Sequence, residues 1–127
     1  MSNISSPTYT QKKYLFAIYR LGQNGGEVRT TDVAKIVGVS KASTTAMTAR
    51  LSESGFIEKS HYGRITLTER GLKEANSIFT SCLIIQDFLE KKLNIPTEQA
   101  DADAVQIVRG TSELTASRFV DYILSNQ

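Results

Sequence analysis

The sequence predicts a mainly α-helical chain with one short β-hairpin, and three observations carry that prediction. Six stretches repeat apolar residues at the three-and-four spacing of a helix. Two β-prone runs, residues 56–60 and 64–68, flank His61-Tyr62-Gly63 and read as a hairpin. Glycine-rich stops and Ser or Thr caps fall between the helical stretches, where helix ends need them.

The first helix is expected over about residues 10–22, after a Ser- and Thr-rich segment, 1–9, that reads as a mobile arm. Tyr14, Leu15, Ile18, Tyr19 and Leu21 form its apolar stripe, and the run from Gly22 to Gly26 ends it. Glu27-Val28-Arg29 suggests a short strand. Thr30 or Thr31 then offers a cap and Asp32 an early negative charge for a helix through Val33, Ala34, Ile36 and Val37. Gly38-Val39 breaks it, and Ser40 caps the next helix. There Thr44, Met47, Thr48 and Leu51 make an inward stripe, leaving Lys41, Ala42, Ser43, Thr45, Ala46, Ala49 and Arg50 outside. Residues 52–55 stop this helix ahead of the hairpin.

Thr68-Glu69 opens a long helix running to about Leu93, with Leu72, Ala75, Phe79, Leu83, Ile84, Ile85, Phe88 and Leu89 as its apolar set. A helix over about 97–109 is expected to turn Ala100, Ala104, Val105, Ile107 and Val108 inward. The last, from Ser112, carries Leu114, Phe119, Val120, Tyr122, Ile123 and Leu124. Three apolar helical stretches in so few residues make too small a core to stand alone and read as a dimerisation unit.

Helix, glycine-containing turn and Ser-opened helix form a helix-turn-helix, and a hairpin directly after it takes the position of a wing. The expected architecture is therefore a winged helix-turn-helix domain, residues 1–73, followed by a linking helix and helical dimerisation domain, residues 74–127. Charge divides the same way. The first 73 residues hold 11 Lys and Arg against 5 Asp and Glu, a net +6, and the remainder 4 against 8, a net −4. A basic front half beside an acidic back half points the first toward a polyanion.

An enzyme is disfavoured: one His, one Cys, no phosphate-cradling glycine loop and no paired carboxylates leave little to build a catalytic site from. The single cysteine, Cys82, lies among apolar neighbours and reads as a buried small side chain. No apolar run reaches the length of a membrane span and the opening residues lack a signal-peptide core, so a cytoplasmic protein is expected.

The chain resembles the diphtheria toxin repressor / manganese transport regulator family, the iron-dependent repressors. The resemblance rests on Tyr14-Leu15-Phe16-Ala17-Ile18-Tyr19, on Val28-Arg29-Thr30-Thr31-Asp32-Val33-Ala34 with Val37-Gly38-Val39-Ser40, on Leu51-Ser52-Glu53-Ser54-Gly55-Phe56-Ile57, and on Leu67-Thr68-Glu69-Arg70-Gly71. It implies a homodimer on a palindromic operator in double-stranded DNA, and a short member with two domains. It also implies a metal switch for Mn or Fe, built from an Asp and a Glu on the first helix, a His on the linking helix, and two Glu and a His on the next. Those positions fall here on Lys13 and Phe16, on Cys82, and on Val105, Val108 and Arg109. Only Cys82 among them is a metal ligand of any kind. The expectation is a regulator without bound metal, in which Phe16 packing on Val105 and Val108 replaces the metal as a clasp.

On this reading Ser40, Lys41, Ala42, Ser43, Thr45 and Ala46 face the bases. Arg29, Thr30, Thr31, Arg50, Lys59 and Arg64 face the DNA backbone. His61 is more simply an exposed turn residue. Two alternatives stand: a metal- or redox-responsive repressor with a rearranged site near Cys82, and a winged-helix module used only for protein contacts.

Overall fold

The computed structural model describes residues 6–23 and 25–127. The first five residues of the expected mobile arm, and Asn24 in the expected helix stop, lie outside the described residues. The chain folds as α1 (Tyr9–Gln23), α2 (Thr30–Val37), α3 (Lys41–Glu53), β1 (Ile57–Lys59), β2 (Ile65–Leu67), α4 (Glu69–Leu93), α5 (Thr97–Gly110) and α6 (Glu113–Ser125). It is mainly α, a winged helix-turn-helix followed by a helical region. Two compact units divide between Asn76 and Ser77, so α4 gives its first turns to one and the rest to the other.

In the first unit α1 begins a residue earlier than the sequence suggests, because Thr8 and Gln11 cap it reciprocally. The Gln11 backbone N–H donates to Thr8 Oγ1 at 3.1 Å, and Gln11 Oε1 accepts from the Thr8 N–H at 2.9 Å. Tyr14, Leu15 and Ile18 enter a core with Val28, Val33, Leu51, Phe56, Ile57, Ile65 and Ala75, and Tyr19, Leu21, Val37, Met47 and Leu67 pack partly buried around it. This core joins α1, α2, α3, the start of α4 and the hairpin into one body.

Two expectations for residues 27–37 need correction. Glu27-Val28-Arg29 is not a strand: only Arg29 pairs, as an isolated antiparallel bridge to Arg64, beside a 2.8 Å bond from the Ile65 N–H to the Val28 carbonyl. The cap of α2 is Arg29, not Thr30 or Thr31. Asp32 reaches back to accept the Arg29 N–H at 3.0 Å, and so draws the chain into the helix one residue after the bridge. Ile36 on this helix is exposed.

Gly38 ends α2 in the left-handed conformation, φ +82°, with its N–H on the Ala34 carbonyl at 2.9 Å. Two residues later Ser40 caps α3, its Oγ accepting the Ser43 N–H at 3.0 Å. Gly55, φ +82°, lets the Phe56 N–H close on the Leu51 carbonyl at 2.9 Å, which turns the chain into β1. The strands pair antiparallel in the register Ile57 with Leu67, Glu58 with Thr66 and Lys59 with Ile65. Ile57 and Ile65 lie buried while Glu58, Lys59 and Thr66 face solvent.

Thr68 joins the wing to α4. Its Oγ1 accepts the Gly71 N–H at 3.1 Å and donates to the Gly55 carbonyl at 2.7 Å. The Arg70 guanidinium donates to the Ser54 carbonyl at 2.6 Å and stacks 4.4 Å from the Phe56 ring. Helix and hairpin approach so closely that a Cβ on Gly71 would lie 1.9 Å from the Phe56 carbonyl oxygen.

In the second unit the buried line of α4 is Ile78, Cys82, Ile85 and Leu89, continuing from Ala75, at alternating steps of three and four. Leu72 and Leu83, expected on that face, lie to its side and are exposed. Ala100, Ala104 and Val108 bury one edge of α5, with Val105 and Ile107 half-buried beside them. α6 is capped by Ser112, whose Oγ accepts the Thr115 N–H at 3.2 Å. It buries Ala116 and Ile123 and sets Phe119 edge-on to Phe88, ring centroids 5.6 Å apart. Leu114, Tyr122 and Leu124, large apolar side chains of the same helix, lie off that buried face and are exposed.

Gly71→Ala is expected to cost about 3 kcal/mol, the upper part of the range for overpacking, because a backbone carbonyl rather than a yielding side chain stands in the way. Gly110→Ala, with nothing within 4 Å of the added carbon, should be close to neutral. Urea denaturation of the two variants checks the contrast.

Candidate nucleic-acid interface

α3 divides cleanly between the two sides that its sequence separates. Thr44, Thr48 and Leu51 have no solvent exposure, and Met47 is half-buried. The two buried hydroxyls are satisfied within the helix region, Thr44 Oγ1 donating to the Ser40 carbonyl at 3.0 Å and Thr48 Oγ1 to the Thr45 carbonyl at 3.1 Å. Their hydroxyls therefore need no water, and their methyl groups fill the core side.

Lys41, Ala42, Ser43, Thr45, Ala46, Ala49 and Arg50 are all exposed. The first acidic side chain on this helix is Glu53, its last residue, so the outward side presents small, polar or basic groups for about three turns. Side chains this short let another molecule approach the helix backbone closely, and the charge present is positive. Ser40 is exposed but already engaged: besides capping the helix, its hydroxyl donates to Ser43 Oγ at 2.9 Å. Ser40 and Ser43 thus enter any contact as a linked pair.

Of the residues expected to face a phosphate backbone, Thr30 and Thr31 open α2, the first half-buried and the second exposed, and Arg50 stands exposed in the last turn of α3. Lys59 projects from β1, and Lys59 and Arg64 line one groove with Ser52, Ser60 and Thr66. Arg29 and Arg64 converge on a residue the sequence did not single out. Glu27 Oε2 lies 2.9 Å from Arg29 and Oε1 lies 3.7 Å from Arg64. Arg29 also donates to the Tyr62 carbonyl at the wing tip, at 2.5 Å. The tip is a turn in which the Gly63 N–H reaches the Ser60 carbonyl at 2.9 Å and Gly63 adopts φ +85°. His61 and Tyr62 pack edge to face there, and Tyr62 is 80% exposed. Glu27 was invisible to a reading of local pattern, since its partners are two and 37 residues away.

The positions that the family pattern gives to metal ligands do not supply a donor set. Lys13 is a cation lying 4.9 Å from the Tyr9 ring, Phe16 is a buried hydrocarbon with the Arg20 guanidinium 5.8 Å from its ring, Val105 and Val108 are aliphatic, and Arg109 is a second cation. Cys82 is buried within α4 and forms no disulfide. Mn(II) and Fe(II) take carboxylate and imidazole ligands, which none of these six residues provides. Among the described residues no group of three or more His, Cys, Asp or Glu side chains is placed to hold a metal ion. No helix among them is long and apolar enough to cross a membrane.

A capped helix free of acidic side chains up to its last residue, presented by a helix-turn-helix with a wing beside it, defines a winged-helix nucleic-acid-binding domain. Residues 8–65 match the family model described as the iron dependent repressor, N-terminal DNA binding domain. The chain is 29% identical over 105 residues to an uncharacterized HTH-type transcriptional regulator of Methanocaldococcus jannaschii, a match covering 83% of this chain and 81% of that protein. It is also 29% identical over 84 residues to the HTH-type transcriptional regulator MntR of Shouchella clausii, covering 66% and 59% of the two. The structure of IdeR from T. acidophilum aligns with a TM-score of 0.72 at 25% identity, over 93% of this chain and 55% of that one. That of the manganese regulator SloR aligns with a TM-score of 0.62 at 22% identity, over 97% and 56%. This chain therefore spans little more than half the length of those two proteins. Through residues 8–65 the chain is similar to the DNA-binding domain of the iron-dependent repressors.

Ser40→Ala removes the acceptor for the Ser43 N–H and should destabilise the protein by about 1 kcal/mol, whereas Ser40→Gly should cost only a few tenths. Urea midpoints, at unchanged slope, read both.

Proposed function

We propose that this chain is a sequence-specific DNA-binding repressor that acts as a homodimer on a palindromic operator and binds DNA without a metal at the family's ligand positions. The observation that carries the reading is the outward face of α3, free of acidic side chains from Lys41 to Ser52 and held rigidly by a buried inner face. Ser40, Lys41, Ala42, Ser43, Thr45 and Ala46 face base edges in the major groove. Lys41 donates to guanine, the hydroxyls bond either way, and the two alanines meet thymine methyls. Arg29, Thr30, Thr31, Arg50, Lys59 and Arg64 hold the phosphates. No Asn, Gln or Arg stands among the base-facing set for two-pronged reading, so direct readout is modest and DNA shape contributes.

The dimer is supported by Leu83, Leu93, Leu114, Tyr122 and Leu124, which the second unit leaves exposed and which a second copy would cover. Two recognition helices then meet half-sites about one helical turn, roughly 10.5 base pairs, apart. Metal independence is supported by the chemistry of Lys13, Phe16, Cys82, Val105, Val108 and Arg109. Their one thiol, two cations and three hydrocarbons do not form a Mn(II) or Fe(II) site.

Selection of binding sites from random duplexes is expected to enrich a palindrome, and affinity for it should be equal within error in chelator, Mn(II) and Fe(II). A many-fold rise with either metal would contradict metal independence, and failure to enrich any sequence would contradict the DNA reading. Lys41→Ala should relax preference at one base pair per half-site, a discrimination worth about 1–3 kcal/mol. Arg64→Ala should weaken operator and random DNA alike. Competition binding with single-base variants separates the two effects.

A further inference from the structure

Arg29 and Arg64 sit on neighbouring backbone segments fixed by the bridge between them and by the Ile65–Val28 hydrogen bond. Their guanidiniums share a single carboxylate, each taking a different oxygen of Glu27. Two cations gripping the two oxygens of one anion is also the way paired arginines hold the two non-bridging oxygens of a phosphodiester. The cluster carries a net positive charge. The side chains of Glu27, Arg29 and Arg64 are 54%, 46% and 53% exposed, so a phosphate can reach both arginines and a weakly held carboxylate can leave. Arg29 is also anchored to the wing tip through the Tyr62 carbonyl, which holds its guanidinium in place whichever anion it carries.

We propose that Arg29 and Arg64 form one phosphodiester-binding clamp, and that Glu27 occupies it in the free protein as an internal competitor that DNA must displace. The proposal rests on the DNA-binding reading above and adds to it in two respects. The two arginines hold the same phosphate rather than separate ones, and Glu27 lowers affinity for every sequence equally, since a phosphate carries no base identity. Glu27 then restrains non-specific binding, and the base contacts of α3 must make up the difference at an operator.

The test is the affinity of the full chain for a random-sequence duplex between 50 and 200 mM salt, for wild type, Glu27→Gln, Glu27→Asp and Glu98→Gln. Glu98 is an exposed acid of α5 whose loss makes the same change in net charge. Glu27→Gln should bind more tightly at the low-salt end and steepen the dependence of log K on log salt by about 0.9, an extra loss on the order of threefold across that range. Glu27→Asp, which keeps the carboxylate, and Glu98→Gln should behave as wild type. Adding Arg64→Gln should abolish the gain from Glu27→Gln. Thermal unfolding of each variant shows whether the wing survives. Binding of Glu27→Gln equal to or weaker than wild type would overturn the clamp, as would an equal gain from Glu98→Gln. If wild type binds no duplex even at low salt, the DNA-binding reading falls and the clamp falls with it. If wild type binds and Glu27→Gln shows no gain, only the clamp fails.

Discussion

Burial of Thr44, Thr48 and Leu51 is the constraint on which the first unit depends. With these three side chains fixed against the core, the rotation of α3 about its axis is set, and the residues between them, apart from the half-buried Met47, point outward. The inner face uses threonines where a purely hydrophobic helix would use leucine or isoleucine. Each hydroxyl is closed onto a nearby carbonyl, so no unsatisfied group is buried. Small inner side chains also allow α3 to sit close to its supports, and small outer ones leave its backbone open to a partner. The same economy of side-chain size thus serves packing on one face and recognition on the other.

The rest of the unit keeps that presentation steady. Gly38 and Ser40 hold the turn between α2 and α3, and Gly55 carries the chain from α3 straight into the wing. The wing is then tied down at both ends. At its base Thr68, Arg70 and Gly71 lock α4 onto the carbonyls of Ser54, Gly55 and Phe56; at its tip Arg29 holds the Tyr62 carbonyl. A hairpin of two three-residue strands would be marginal alone. Here tertiary contacts supply the order that its length does not.

Much of this was legible in the sequence where one signal dominated. The stripe of α3 and its Ser40 cap follow from a 3.6-residue period and one residue's chemistry, and the hairpin from β-prone runs around Gly63. Elements with apolar residues on several faces were harder. In α4 and α6 periodicity did not distinguish the packed line from Leu72, Leu83, Leu114, Tyr122 and Leu124, because the choice is made by neighbouring helices and not by the helix itself. The cap formed by Thr8 and Gln11 corresponds to a Thr-x-x-Gln pattern in the sequence. The segment from Glu27 to Arg29 has a strand's composition but pairs at only one residue, since Asp32 pulls the backbone into α2 at once. The cluster of Glu27, Arg29 and Arg64 joins residues far apart in sequence, and no local pattern announces it. The chemistry of Lys13, Phe16, Val105, Val108 and Arg109 is read from the sequence alone: cations and hydrocarbons cannot do the work of carboxylates and imidazoles.

On the proposed function the outward face of α3 lies in the major groove of the operator. Photo-crosslinking from a benzophenone side chain placed at Ala42 or Ala46, against the same group at Ala102 on the exposed side of α5, tests it most directly. Crosslinks are expected from positions 42 and 46 to bases within each half-site of the selected operator, and none from position 102. Strong operator binding without crosslinks from 42 and 46 would contradict that placement.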